Sequence, residues 1–327
     1  MKRRDLFALT AGAALQISLF ARAQKAEVPV IGFLHPASAA EWAARVAAFR
    51  QGLADAGYTE GRNVTVEFRW AEGNYERLPA LAADLVRRRV AVIVAAGGGP
   101  SVMAAKAATS TIPIVFTAGG DPVKLGFVES LNRPAGNITG VSVLTLELGG
   151  KRLEVLHTLA PQATVIGMLI NPNGTVTESE ARITLEAARR LDLQLSVQRA
   201  RNKQEIDQAF SAFVRARIGA MLIGADVFYE LQREQLVALA AQYAVPTLYP
   251  IRAFVAAGGL ASYGANFNDA YRQAGVYAGK ILGGAKPAEL PVLQPSSVEL
   301  VINAKTATTL DLTIPQSLLL RADEVIR

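Results

Sequence analysis

Residues 91–116, AVIVAAGGGPSVMAAKAATSTIPIVF, carry one complete strand–helix–strand unit. Ala91–Ala96 (AVIVAA) is an unbroken apolar run of strand length, the pattern of a strand buried on both faces of a sheet. Gly97-Gly98-Gly99-Pro100 stops it, because neither glycine nor proline sustains a strand interior. Ser101–Thr109 reads as a short alanine-rich helix, and Ile112–Phe116 (IPIVF) is a second apolar strand. Two strands joined through a helix run parallel, since the crossover returns the chain to the starting end of the sheet.

The same pattern extends both ways. Upstream, Val28–Leu34 (VPVIGFL) is a buried strand, and Val46, Phe49, Leu53 and Ala56 recur at helical spacing until Gly57 ends the helix. Val64–Trp70 alternates as a strand and Leu78–Arg89 is helical. The series restarts after Gly140 with helix Leu148–Leu159, strand Val165–Ile170, helix Ser179–Leu191 and strand Gln194–Gln198. Helix Gln204–Arg217, strand Ala220–Gly224, helix Glu230–Tyr243 and strand Pro246–Tyr249 complete it. Two successive sets of β-α units predict an α/β protein of two doubly wound parallel-sheet lobes joined by a hinge. A single barrel would need eight regular units without a mid-chain break.

The non-helical stretch Asn132–Ser142 (NRPAGNITGVS) is the expected first crossing between lobes. In the tail, strand Leu260–Tyr263 and helix Asp269–Leu282 precede a Gly/Pro-rich stretch from Gly283 to Pro291 and a last long strand, Val298–Ile302. Lobe 1 is expected to comprise residues 28–141 with 263–286, and lobe 2 residues 142–262 with 287–327. Repeated crossing makes a hinge, and a hinge beside a cleft is the machinery of ligand capture.

The N-terminus, MKRRDLFALTAGAALQISLFARAQ, reads as an export signal over residues 1–23. Lys2, Arg3 and Arg4 form a basic start, Leu6 to Phe20 an apolar stretch, and Ala21-Arg22-Ala23 a small-x-small cleavage site. Both the general secretory route and the twin-arginine route fit the paired arginines, and either places the mature protein in the periplasm. Lys2, Arg3, Arg4, Arg22 and Asp5 belong to that leader; without them 34 basic and 28 acidic side chains fall to 30 and 27, and the net charge from +6 to +3. No basic run is long enough to track a phosphate backbone, so nucleic acid is not an expected partner. A repressor of this architecture would carry its DNA-binding module ahead of the first lobe, where the leader stands.

The 327 residues include no cysteine and two histidines, His35 and His157. Disulfides, thiolate nucleophiles and zinc–thiolate sites are thereby excluded. No G-x-S-x-G, H-E-x-x-H or P-loop motif is present. Neither enzymatic turnover nor a metal or organic cofactor is expected.

In open α/β sheets, ligands bind beyond the carboxyl ends of the strands. Those ends supply His35 and Ser38, Gly97 to Ser101, Thr117, Asp121, Asn171, Asp226, Tyr229 and Tyr249. Trp42, Tyr75, Tyr229, Tyr249 and Tyr263 are candidate aromatic walls. The set is rich in hydroxyls, amides and small residues and suits hydrogen-bonded capture of a small polar molecule. Gly98, Gly99, Ser101 and Thr117 are expected to meet a carboxylate, and Asp226, assisted by Asn171, an ammonium group. Each has a bland alternative: the glycines a steric turn, Asp121 and Asp226 helix caps, and His35 a hydrogen-bonded loop histidine.

DPVKLGFVESLNRPAGNITGVS (Asp121–Ser142), ASYGANFNDAYRQAGVYAGKILGGAKPAELPV (Ala261–Val292), VELVIN (Val298–Asn303) and TIPQSLLLRADEVI (Thr313–Ile326) together resemble the ABC transporter substrate-binding family whose better-known members take tryptophan or other aromatic amino acids. The chain departs from the family's usual Pro-Gly-Gly-Asn at Pro134-Ala135-Gly136-Asn137. The resemblance implies a type 1 periplasmic binding protein fold and a monomeric receptor. Such a receptor is expected to close on a small solute, an aromatic or apolar amino acid, and to deliver it to the membrane subunits of an ABC permease. A sensor subunit that presents its ligand to a membrane kinase would use the same closed form, and an exported α/β hydrolase is the remaining alternative.

Overall fold

The computed structural model describes residues 28–143, 145, 148–295 and 297–327, so the leader lies outside the described residues. In the first half, strands β1 (Val30–His35), β2 (Thr65–Trp70), β3 (Val92–Ala95), β4 (Ile114–Gly119) and β5 (Ile138–Val143) alternate with helices α1 (Ala43–Asp55), α2 (Leu78–Arg87) and α3 (Gly99–Ala108). They form a five-stranded, all-parallel sheet in the order β2-β1-β3-β4-β5.

The second half begins α4 (Leu148–Leu159), β6 (Val165–Ile170), α5 (Thr177–Arg190), β7 (Gln194–Arg199), α6 (Lys203–Arg215) and β8 (Ala220–Ile223). It continues with α7 (Val227–Leu231), α8 (Arg233–Gln242), β9 (Thr247–Tyr249), α9 (Arg252–Ala256), β10 (Ala261–Ala265) and α10 (Phe267–Leu282). Last come β11 (Val298–Asn303), α11 (Ala304–Thr309), α12 (Gln316–Leu319) and β12 (Glu324–Ile326). Its sheet runs β12-β11-β10-β9-β8-β6-β7, parallel except where β10 meets β11.

Period-two alternation explains why each sheet is buried on both faces. In lobe 1, Ile31, Phe33, Val92 and Val94 face one core beneath α1 and α10, while Leu34, Ile93 and Ala95 face another beneath α2 and α3. Lobe 2 repeats the device, with Ile166, Met168 and Leu222 on one face and Leu169, Met221 and Ile223 on the other.

Helix α10 follows a strand of the second sheet yet packs on α1 of the first lobe. Glycines make that crossing possible: a Cβ on Gly52 would lie 1.8 Å from the Arg272 carbonyl oxygen, and one on Gly275 2.1 Å from that of Phe49. The backbones of the two helices touch with no side chain between them.

The structure corrects two details of the sequence reading. Ile138–Val143, expected within a crossing, is the buried edge strand β5, because Ile138, Val141 and Val143 are apolar and pair along β4. Tyr263, expected to open the return to lobe 1, lies in β10, whose ladder to β11 extends to Ala265. The crossings therefore follow Val143 and Ala265, and the third passes Leu293, which bonds both Gly140 and Ser142 of the first lobe. That third strand also meets the second, through Asn266 N–H and the Ser297 carbonyl at 3.2 Å. Three crossings held side by side restrict the lobes to a common bending axis.

Candidate ligand-binding cleft

Between the lobes lies a cleft with about 770 Å³ of open space, part of it continuous with solvent. Lobe 1 lines it with Arg45, Tyr75, the 97–100 turn, Thr117 to Gly119, Phe267 and Tyr271. Lobe 2 supplies the 174–176 turn, Ala225 to Val227, Glu230, Pro250, Ile251 and Phe254, and Thr145 lines the hinge side. Every wall segment comes from a strand's carboxyl end or from the helix that follows, where a doubly wound sheet leaves a crevice.

Asp226 sits on this wall as the N-cap of α7, with its Oδ1 accepting from Phe228 N–H at 2.8 Å. The same oxygen accepts from the Asn171 amide and the Tyr75 hydroxyl, each at 2.8 Å. Among the described residues Oδ2 takes none of these donors, so one oxygen caps the helix and the other stands on the cavity wall. Burial pushes the Asp226 carboxyl up to about 6, against the three donors that favour its ionised form. Capping and ligand contact, weighed as alternatives in the sequence, are compatible in one side chain.

Opposite lies the N-terminus of α3. Gly97 (φ 81°) and Gly98 (φ 111°) hold backbone conformations that glycine alone adopts without strain, and their N–H groups are spent on Thr117. No side chain caps the helix at Gly98, so the first-turn N–H groups that follow are donors without a helical partner.

A buried aromatic group stands behind this turn. Ala37 N–H donates to His35 Nδ1 at 3.0 Å, which places the ring proton on Nε2, where it reaches the Tyr271 oxygen at 2.8 Å. Burial, reinforced by the Arg45 charge, holds His35 well below the usual histidine range, so the ring is neutral. The Trp42 indole N–H also donates to Tyr271, at 3.1 Å. The Tyr271 hydroxyl also lies within hydrogen-bonding reach of Thr117, and burial pushes that phenol up to about 12.

Arg45 spans the cleft. Its guanidinium lies 4.7 Å from the Trp42 ring centroid and 5.1 Å from that of Phe267. It forks onto Glu230 of the other lobe at 2.8 and 2.9 Å. Burial opposes the Arg45 charge, but Glu230 and Tyr271 together more than offset it and raise the guanidinium. Glu41 and Arg233 make a second bridge between the lobes at 2.5 Å.

Of the residues expected from sequence, Gly98, Gly99, Thr117, Asp226 and Tyr75 are brought together on the cavity wall. His35, Trp42 and Asn171 lie one layer behind and act through Tyr271 or Asp226. Ser101 is fully buried off the wall, its hydroxyl without a partner among the described residues. The others sit elsewhere. Tyr229 is buried with its hydroxyl on the Ala200 carbonyl, Tyr249 stacks on Phe254, and Ser38 lies on the loop after β1. Asp121 caps a turn through Val123 and Lys124, no helix following it, and Tyr263 packs at the edge of a lobe 2 core. Sequence reasoning missed Arg45, Glu230, Phe254, Phe267 and Tyr271. They stand on helices, where charges read as solvated and aromatics as core; only the stretch containing Phe267 and Tyr271, quoted above for its family resemblance, gave a signal.

Among the described residues, no group of three or more His, Asp or Glu side chains is arranged to hold a metal ion, and no helix is long and apolar enough to cross a membrane. Two lobes with mostly parallel sheets, three crossings and a cavity between them define a type 1 periplasmic binding protein fold. Residues 27–326 match the family described as ABC transporter substrate binding protein, and the chain belongs to that family. The family is one of binding proteins and not of enzymes. The chain is 28% identical over 265 residues to a "Tyrosine-binding protein" of Clostridioides difficile (strain R20291), covering 81% of this chain and 75% of the relative. A solved domain from Streptococcus pneumonia in complex with L-Trp superposes with a TM-score of 0.84 at 26% identity, covering 92% of this chain and 100% of that one. A conserved domain protein from Vibrio cholerae superposes with a TM-score of 0.85 at 27% identity, covering 91% and 100%.

Proposed function

We propose that this chain is the periplasmic receptor of an ABC importer, exported by its leader and closing on an aromatic amino acid that it hands to membrane permease subunits. The observation that carries the reading is the division of labour in one cavity. An unengaged carboxylate oxygen of Asp226 stands on lobe 2, and an uncapped helix start with Thr117 and the Tyr271 hydroxyl stands on lobe 1. An α-ammonium at Asp226 and an α-carboxylate at the first turn of α3 satisfy both. Ile251, Phe254 and Phe267 remain to cover an apolar ring. A ligand that touches both lobes favours the closed state, since only differential contact shifts such an equilibrium. The tyrosine and tryptophan named for two relatives are amino acids of this shape.

A thermal-shift series with amino acids, small organic acids, purines and sugars tests the reading. Tyrosine, tryptophan or phenylalanine should raise the melting temperature, by the equivalent of about 2.7 kcal/mol at a hundredfold excess over Kd. A shift with sugars or nucleosides alone would refute it.

A further inference from the structure

The cavity wall ends in an ion pair that an apolar side-chain slot does not require. Arg45 and Glu230 are 15% and 12% exposed, lie on opposite lobes, and both line the cavity. Glu230 stands one helical turn beyond Asp226, with its backbone N–H on the Asp226 carbonyl at 3.1 Å. Residues at this spacing share a helix face, roughly 5–6 Å apart along the axis. Val227 also lines the wall, as do Ile251, Phe254 and Phe267.

From this order of groups, and resting on the amino-acid reading above, we propose that the Arg45–Glu230 pair determines specificity at the side-chain end of the cleft, selecting aromatic amino acids whose ring carries an O–H or N–H donor. An amino acid with its ammonium on Asp226 lays its ring over Val227 and presents the ring's far edge to Glu230. Glu230 Oε2 accepts a hydrogen bond from Arg45 at 2.9 Å and Oε1 lies 2.8 Å from the other guanidinium nitrogen, and each carboxylate oxygen has the capacity to accept a second bond. A phenol or indole proton supplies that second bond. A plain phenyl edge leaves a buried carboxylate without it, and a site built to accept a hydrogen bond discriminates strongly against the analogue that lacks the donor. The pair exists only with the lobes together, so the donor is recognised in the closed state and adds to closure.

Isothermal titration with tyrosine, tryptophan and phenylalanine reads this directly. The wild-type protein should bind tyrosine at least tenfold more tightly than phenylalanine, the factor that one hydrogen bond to a charged group supplies. In Glu230→Gln the preference should fall several-fold, and in the double variant Arg45→Met/Glu230→Leu it should shrink to about twofold or less. Loss of the inter-lobe contact weakens both ligands alike, so the ratio separates recognition from a structural role. Equal wild-type affinity for tyrosine and phenylalanine would overturn the inference, as would a ratio untouched in a folded double variant, while leaving the amino-acid reading in place. Failure of all three ligands to bind would overturn both.

Discussion

Arg152 and Glu180 form an ion pair with 2% of either side chain exposed, and it ties the hinge to the ligand wall. The guanidinium also donates to the Tyr263 carbonyl at 3.0 Å and the Thr145 carbonyl at 3.3 Å, beside two of the three crossings. Glu180 Oε2 accepts from Ala225 N–H at 3.2 Å, immediately before Asp226. One buried pair thus fixes the frame from which lobe 2 offers its carboxylate.

Breaking that pair leaves a charge buried without its partner. Arg152→Met or Glu180→Gln should destabilise the protein by about 3–5 kcal/mol in denaturant titration. The apolar double variant Arg152→Met/Glu180→Leu should cost less than either single change, because no charge is stranded. Single variants within about 1 kcal/mol of wild type would show that water, and not protein, satisfies these groups.

Closure has a steric gate at Gly99. A Cβ built there would lie 2.0 Å from the Thr175 hydroxyl of the opposite lobe. Gly99→Ala should therefore hold the lobes apart and weaken ligand binding by tenfold or more, with little change in the melting temperature of the free protein. Thr175→Gly in the same chain should restore affinity. Small-angle scattering with ligand provides the second readout, and a Gly99→Ala protein that compacts normally would remove the gate.

Much of this architecture was legible in the sequence because it is local. Apolar runs such as Val92–Ala96 and the 3.6-residue spacing in Val46, Phe49 and Leu53 state their burial without reference to anything distant. The place of Asp226 on the cavity wall was legible too, since strand ends are where such sheets open a crevice. What escaped was pairing across the cleft. Arg45 and Glu230 are 185 positions apart and each looks like an ordinary helix charge; only the folded lobes bring them together. Tyr229 and Tyr249 misled for the converse reason, because an aromatic near a strand end faces either the cleft or the core, and the core took both. The edge strand β5 was hidden within a Gly- and Pro-bearing stretch that reads as a crossing until its pairing with β4 is known.

The Asp226 carboxyl gives the site a pH dependence with a defined sign. Burial raises it from 3.8 to about 6 in the ligand-free protein, so below that pH the group is protonated and offers an ammonium no charge. Affinity for an aromatic amino acid should be highest above about pH 6 and should fall by up to tenfold per pH unit below it, with a proton released on binding in that range. Stability of the free protein runs the other way. The folded carboxyl titrates above its unfolded value, so its contribution is complete below about pH 4 and is lost as pH rises through about 6, on the order of 3 kcal/mol. Asp226→Asn removes the titrating group while keeping an oxygen for the α7 cap. It should bind amino acids weakly, with no slope in affinity between about pH 5 and 7, and should be at least as stable as wild type at neutral pH. Calorimetry in two buffers of different ionisation heat counts the released proton. An affinity profile with the same slope in wild type and Asp226→Asn would assign the ammonium to another group.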